Sequence, residues 1–353
     1  MWNSWNNSTN ACGSNLRAST LLFGALLIGA LFAAIQAAAQ STPLISGGTA
    51  FLTNTSGGNT SYLPTVMPLL AAPLGSHLLV EGRATLLEDF YPSGGSYSHI
   101  HYVALSYMQL NYLVSSHLTV VAGEYLTPFG SYNERLTPIW IGNFQDPPLS
   151  YGLGVGTGSS VGGMLRGSAV STSDYSIDYA AYYSAASSNQ NFSSQNSWGG
   201  RSSIYMPRQR FEIGASFARV TSQEKTNNVG VHAWWGPADS SFKLRSEYDH
   251  GTHSQGYWME ADYRLSHFGG PDTAIGRLEP VFRWQQAFRN SPDSSDGLPS
   301  TDTREVDAGL DYHLPHEVRI NTSYSRQLSS TGDRNIWQTG IVYRFLFPAW
   351  RSK

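Results

Sequence analysis

The sequence predicts an all-β fold, a transmembrane antiparallel β-barrel of about 14 strands (range 12 to 16) behind a cleaved signal peptide. Three observations point there. From His77 onward apolar and ionisable residues alternate with a period of two; charged residues make up only 13% of the chain; and 20 Tyr, 15 Phe and 10 Trp are available to line membrane interfaces. An ordinary globular domain carries about 25% charged residues, so the scarcity of charge separates this chain from most soluble domains of its size.

Residues 1–39 read as the signal peptide. Arg17 precedes the apolar run Leu21 to Ala34, and Ala37-Ala38-Ala39 fits a small-residue cleavage site, which puts the mature start near Gln40. The competing reading is a membrane anchor, but the run is about 14 residues, short of the roughly 20 a spanning helix needs. The sole cysteine, Cys12, lies inside this leader. It precedes the apolar run rather than following it, which argues against a lipid anchor, and the count excludes a disulfide framework.

Residues 40–76 are assigned to a periplasmic segment ahead of the barrel, and residues 77–347 to the barrel itself. Strands are predicted near 77–87, 98–113, 117–126, 161–170, 173–184, 200–206, 209–220, 228–236, 240–250, 255–265, 276–288, 303–313, 316–327 and 335–347. The alternation is clearest in Ser241 to His250, where Phe242, Leu244 and Tyr248 share one face and Lys243, Arg245, Glu247 and Asp249 the other. A helix would scatter those charges around its circumference. Similar splits set Glu260, Asp262 and Arg264 against Tyr257, Met259 and Tyr263, and Glu279 and Arg283 against Phe282 and Trp284. Glu81 and Arg83 oppose Val80 and Ala84, and Glu305, Asp307 and Asp311 oppose Val306 and Leu310. The last segment, Asn335 to Phe347, places Trp337, Ile341 and Tyr343 opposite Gln338 and Arg344. It ends on an aromatic residue, as the recognition signal of many outer-membrane proteins does, and residues 348–353 follow as a tail.

Alternation alone also fits a soluble sandwich, which would turn its apolar faces inward. Low charge, abundant aromatics and ionisable residues confined to one face of strand after strand favour the membrane. Short turns and longer polar stretches also alternate, as in outer-membrane barrels, leaving both termini on the periplasmic side. The link 266–275 is long for a periplasmic turn.

The segment Leu118 to Leu136 resembles a stretch of the phosphate-selective porin family, through Gly123, Tyr125, Pro128, Phe129 and Gly130. Arg277 to Trp284 (RLEPVFRW) is similar to a strand of the same group. The resemblance implies a porin-like barrel. Family members bind phosphate through a ladder of lysines and arginines, whereas only Lys225, Lys243 and Lys353 occur here. The expected function is passive diffusion of small hydrophilic solutes or ions, with outer-membrane lipid as the surrounding partner and a homo-oligomer compatible with it. A net charge of −3 speaks against a nucleic-acid partner.

The long segment 127–160 is expected to fold inward as a constriction, with Asn133, Glu134, Arg135 and Asp146 near the narrowest point. Its alternative is an external cap. Pore-lining candidates are Glu81, Arg83, Arg245, Glu247, Asp249, Glu260, Asp262, Arg264, Glu279, Arg283, Glu305, Asp307 and Arg344, with Arg319 and Asp311 on the same faces. Each could instead serve a structural ion pair between strands. Solvated loop histidines are the better reading of His99, His101, His250 and His253, so no metal site is expected. No nucleophile elbow occurs, and neither catalysis nor a cofactor is expected. A non-conducting structural or adhesive barrel remains the alternative function, and a membrane-embedded lipid hydrolase a remoter one.

Overall fold

The computed structural model describes residues 43–151, 158–188, 194–221, 225–238, 240–290 and 301–348. The leader 1–39 and most of the tail lie outside them. The described chain forms β1 (Leu44–Ser56), β2 (Asn59–Leu74), β3 (Leu78–Ser93), β4 (Ser96–Ser115), β5 (Leu118–Leu126), a one-turn helix α1 (Tyr132–Arg135), β6 (Ser159–Ser171), β7 (Ser176–Ser184) and β8 (Ser197–Met206). It continues with β9 (Phe211–Val220), β10 (Thr226–Trp235), β11 (Phe242–His250), β12 (Ser254–Tyr263), the short α2 (Ser266–Gly269), β13 (Leu278–Arg289), β14 (Thr303–Leu314), β15 (Val318–Ser329) and β16 (Arg334–Pro348). Every strand pairs antiparallel with its sequence neighbours, and β1 closes on β16 from Leu44↔Pro348 to Ser56↔Ile336. Closure leaves no sheet edge around the circumference, which a sheet surrounded by lipid requires.

The barrel has 16 strands, the upper end of the expected 12 to 16 and two more than the 14 segments counted, because residues 44–74, read from the sequence as a periplasmic segment, supply β1 and β2. The reason they escaped is chemical. Residues 40–76 contain no Asp, Glu, Lys or Arg, so no ionisable face marks them, and Pro64, Pro68 and Pro73 argue against a strand interior. The two strands still pair through a continuous register, Leu44↔Ala71 to Ser56↔Asn59.

Both described ends of the chain lie at one end of the barrel. Short turns join strands there, except for the link through α2. The opposite end holds residues 127–151 after β5, the end of β7 and start of β8, and the end of β13 and start of β14. It also holds tight turns, since Gly57-Gly58 and Gly94-Gly95 adopt positive φ of 58° and 81°, and 58° and 85°, as two-residue hairpins require.

Burial is inverted relative to a water-soluble sheet. On β13, Glu279, Arg283 and Gln285 are buried whereas Phe282 and Trp284 are 48% and 44% exposed. Met259, Val306, Leu310, Ile320 and Ile341 likewise lie exposed outside while Glu260, Asp307 and Asp311 are buried inside. That arrangement disfavours the sandwich alternative, whose buried faces are apolar.

Candidate pore constriction

The connection between β5 and β6 turns into the barrel rather than over it, and the sequence at its start explains why. Gly123 has φ 117° and lies against the backbone of Met108, where a Cβ would stand 2.6 Å from its carbonyl oxygen. Phe129 then packs into an apolar patch with Val121, Tyr125, Met164, Ala180, Tyr182, Ala218 and Val220. Gly130, at φ 63°, completes the turn, and a Cβ there would overlap the carboxylate of Glu247. Oε2 of Glu247 accepts hydrogen bonds from Ser131 N (2.6 Å), Ser131 Oγ (2.7 Å) and Tyr132 N (3.3 Å). It thereby answers two of the backbone donors that the start of a helix leaves unpaired.

From there the loop is fastened to wall after wall. Ser216 Oγ on β9 accepts from Gly130 N at 3.0 Å, and Arg201 Nη1 on β8 donates to Gly130 O at 2.8 Å. On β12, Glu260 and Asp262 accept from Asn143 Nδ2 at 3.0 and 3.2 Å. Gln285 Oε1 on β13 accepts from Leu149 N at 2.7 Å. Arg319 on β15 donates to Gly142 O at 2.6 Å and Ile139 O at 3.2 Å. Ile139 and Trp140 cover the apolar inner faces of Ala50, Leu52 and Val342. Tyr132 and Leu136 pack on Trp258 and Trp234, so the inner wall is apolar in three patches that the loop covers and largely polar elsewhere.

The four expected constriction residues divide into two kinds. Glu134 pairs with Arg201 at 2.6 Å, and Arg135 pairs with Glu212 at 2.8 Å while its guanidinium lies over Trp234. Their side chains keep partial exposure, 17% and 31%. Asn133 is buried and holds the loop to itself, donating to Thr127 O and Gly158 O. Asp146 accepts from Gln338 Nε2 at 2.6 Å, and its own carbonyl accepts from Arg283. Burial pushes its carboxyl above the ordinary range, against the pull of Arg283 and Gln338.

Most pore-lining candidates form one network on β11 to β14. Arg245 contacts Glu260 at 3.0 Å and Asp262 at 3.2 Å; Arg283 contacts Asp307 at 2.8 Å. Glu279 accepts from Lys243 at 3.3 Å and His313 at 2.5 Å, and Glu305 from Gln285 and Gln327. Asp249 is buried two residues from Glu247 on the same face. Glu81 stands on another wall, 3.8 Å from Arg166, beside Gln109 and Asn111. Arg83 reaches Thr137 Oγ1 of the loop at 3.1 Å. Arg264 and Arg344 sit apart from these contacts. Arg264 donates to Gly276 O, and Arg344, half exposed at the rim, lies 3.9 Å from Glu317.

Sequence reasoning passed over Arg201 and Glu212, which hold the loop on β8 and β9, and His232 on β10, whose Nε2 lies 3.2 Å from Glu212 Oε1. Their strands, such as FEIGASFARV, hold isolated charges among small residues, so no repeating charged face advertises them. Of the histidines expected in loops, His99 and His101 lie on β4 and His250 ends β11; His101 pairs with Glu88 and His250 Nδ1 lies 3.3 Å from Gln255 Oε1.

No protein-family model and no curated protein matches the chain. Solved structures do. OmpF of Salmonella typhi, in complex with daunomycin, is 13% identical over 86% of this chain and 97% of its own, with a TM-score of 0.54. OmpT of Vibrio cholerae, an outer-membrane protein solved as a loop-L8 deletion mutant, is 9% identical over 86% and 100%, with a TM-score of 0.52. The anion-selective porin of Comamonas acidovorans is 9% identical over 86% and 99%, with a TM-score of 0.51. The chain shares with these proteins its barrel fold.

Proposed function

We propose that this chain is a bacterial outer-membrane porin, exported through the leader 1–39, in which small hydrophilic solutes or ions cross by passive diffusion past the inward segment 127–151. The observation that carries the reading is a closed barrel, apolar outside and ionisable inside, whose β5–β6 connection turns inward and is fastened across the interior. A closed exterior satisfies lipid, and a loop held on several walls sets a fixed aperture.

Preference among solutes follows from which charges are unpaired. Glu134 and Arg135 are each matched by a wall partner, so their fields largely cancel. The interior otherwise holds more carboxylates than cations, which favours cations weakly, and the effect is screened as salt rises. The likeness to phosphate-selective porins rests on Gly123, Tyr125, Pro128, Phe129 and Gly130, where the loop turns inward, and on the strand Arg277 to Trp284. A lysine ladder does not accompany them, so phosphate is not the proposed solute.

Single-channel recording in planar bilayers tests the function. The intact protein should conduct, and deleting residues 132–146 should raise its conductance. A protein that inserts and never conducts would instead be the structural barrel, with the loop as its plug.

A further inference from the structure

Where the loop does not cover the inner wall, that wall is mostly polar, and one place breaks the rule. The inner face alternates along β3 from Arg83, which meets the loop, through Thr85 and Leu87 to Asp89 and Tyr91. Register sets Leu87 opposite Tyr102, Asp89 opposite Ile100 and Tyr91 opposite Ser98 on β4. A register shift between Arg83 and Ala84 places Ser106 as the extra residue on β4, and Ser106 Oγ meets Thr85 Oγ1 at 3.2 Å, so the inner row is preserved across the bulge. Ile100 and Tyr102 therefore point into the barrel near its far end, yet they are 53% and 46% exposed.

Two further features gather at the same place. Tyr151 of the loop lies near both Tyr102 and Arg83; its phenol is raised chiefly by burial, with Tyr102 adding and Arg83 opposing. Asp89 stands in the middle of the row, and its buried Oδ1 accepts no hydrogen bond among the described residues. Other carboxylate oxygens, Asp249 Oδ1 and Asp307 Oδ1 among them, are also buried without a hydrogen bond among the described residues, but Asp89 is set opposite the exposed Ile100 rather than within the ion-pair network of β11 to β14. An unanswered carboxylate oxygen set among uncovered aromatic and aliphatic side chains is unfavourable for the protein alone. It suits a ligand that brings a positive head on an apolar body. The ammonium would pair with Asp89, while the rings of Tyr91 and Tyr102 and the side chains of Leu87 and Ile100 take the body.

We infer that the inner face of β3 and β4 at the far mouth, formed by Leu87, Asp89, Tyr91, Ile100 and Tyr102, is a binding subsite for small organic ammonium ions. It deepens the porin reading, on which it rests, by giving the entrance a preferred solute class.

Benzylammonium is the probe, added to the intact channel and, separately, to the detergent-solubilised protein in equilibrium dialysis. It should bind in dialysis and interrupt the ion current from the side of the mouth. Asp89→Asn should weaken both effects about tenfold, the scale of a lost charge contact in a partly desolvated site. Tyr102→Ala should weaken them several-fold. Benzyl alcohol and phenylacetate should bind far more weakly. No binding of benzylammonium, binding indifferent to Asp89→Asn, or equal binding of benzyl alcohol would each overturn the subsite. Binding in dialysis with no conductance at all would keep the subsite and defeat the porin reading, so the two failures are separable.

Discussion

Glu247 shows how one side chain fixes the loop. It is 7% exposed, and its Oε2 answers three donors at the start of α1. Its neighbour Gly130 has left-handed backbone and no room for a Cβ beside that carboxylate. Glu247→Ala leaves the Ser131 and Tyr132 amides buried without acceptors, a loss of about 1–3 kcal/mol for such groups. The loop should loosen, seen as faster hydrogen exchange at those two amides, whereas Glu247→Gln keeps an acceptor oxygen and should be much milder. Gly130→Ala should act in the same direction as Glu247→Ala, since it adds backbone strain on the order of 1–3 kcal/mol to the overlap. Exchange rates that do not change in either alanine variant would mean that the cap does not hold the loop.

Between elements, the loop and the wall strands explain each other, and they also explain which strands could be read in advance. β13 was legible because Glu279 and Arg283 share a face opposite Phe282 and Trp284. β1 and β2 were not, because their inner face lies in part under Ile139 and Trp140 and so is apolar at Ala50 and Leu52. Covered by protein inside and facing outward on the other side, such strands lose the contrast that alternation depends on. The inward turn of the loop was legible in outline from its length and its Pro-Phe-Gly, but the roles within it were not. Nothing local in the sequence distinguishes Asn133, which binds its own loop, from Arg135, which reaches Glu212. The contact with β1 is tight, since a Cβ on Gly48 would stand 2.6 Å from the ring of Trp140. Gly48→Ala should therefore displace this arm of the loop and alter conductance, while Trp140→Ala should uncover Leu52 and destabilise the docked arm by about 3–5 kcal/mol at most. Asp146 adds a dependence on pH. Because its carboxyl is raised in the docked loop, docking binds that proton more tightly than the free loop does. The contribution is full below the ordinary carboxylate range and is lost as pH climbs through the raised value. Conductance fluctuations from loop motion should thus be quietest in acid and grow toward neutral pH. Asp146→Asn, which still accepts from Gln338, should flatten that profile, and a profile identical to the unsubstituted protein would assign the effect to another group.

At the scale of the whole molecule, the same alternation that separates Phe282 from Arg283 on one strand runs around the barrel and makes two continuous surfaces. The outer one carries Tyr248, Met259, Phe282, Trp284, Val306, Ile320 and Ile341; the inner one carries the ion-pair network of β11 to β14. Paired charges in that interior offset one another's desolvation only while both partners are present, so removing one is far more damaging than removing an outer apolar group. A test of the two surfaces should avoid the buried pairs. Lys243 suits the inside, because half of its side chain is exposed and its two carboxylate partners, Asp262 and Glu279, retain Arg245 and His313. Phe282 suits the outside. With Cys12→Ser as background the chain has no other thiol, so Lys243→Cys and Phe282→Cys each report on one position. In lipid vesicles a membrane-impermeant, water-soluble thiol reagent small enough to enter the barrel should label residue 243 and spare residue 282. Lipid-soluble reagent should reverse the order, because the outer position is reached through the bilayer. Water-soluble labelling at 282 with protection at 243 would invert the two surfaces and place the ionisable face outside, where a bilayer could not accommodate it.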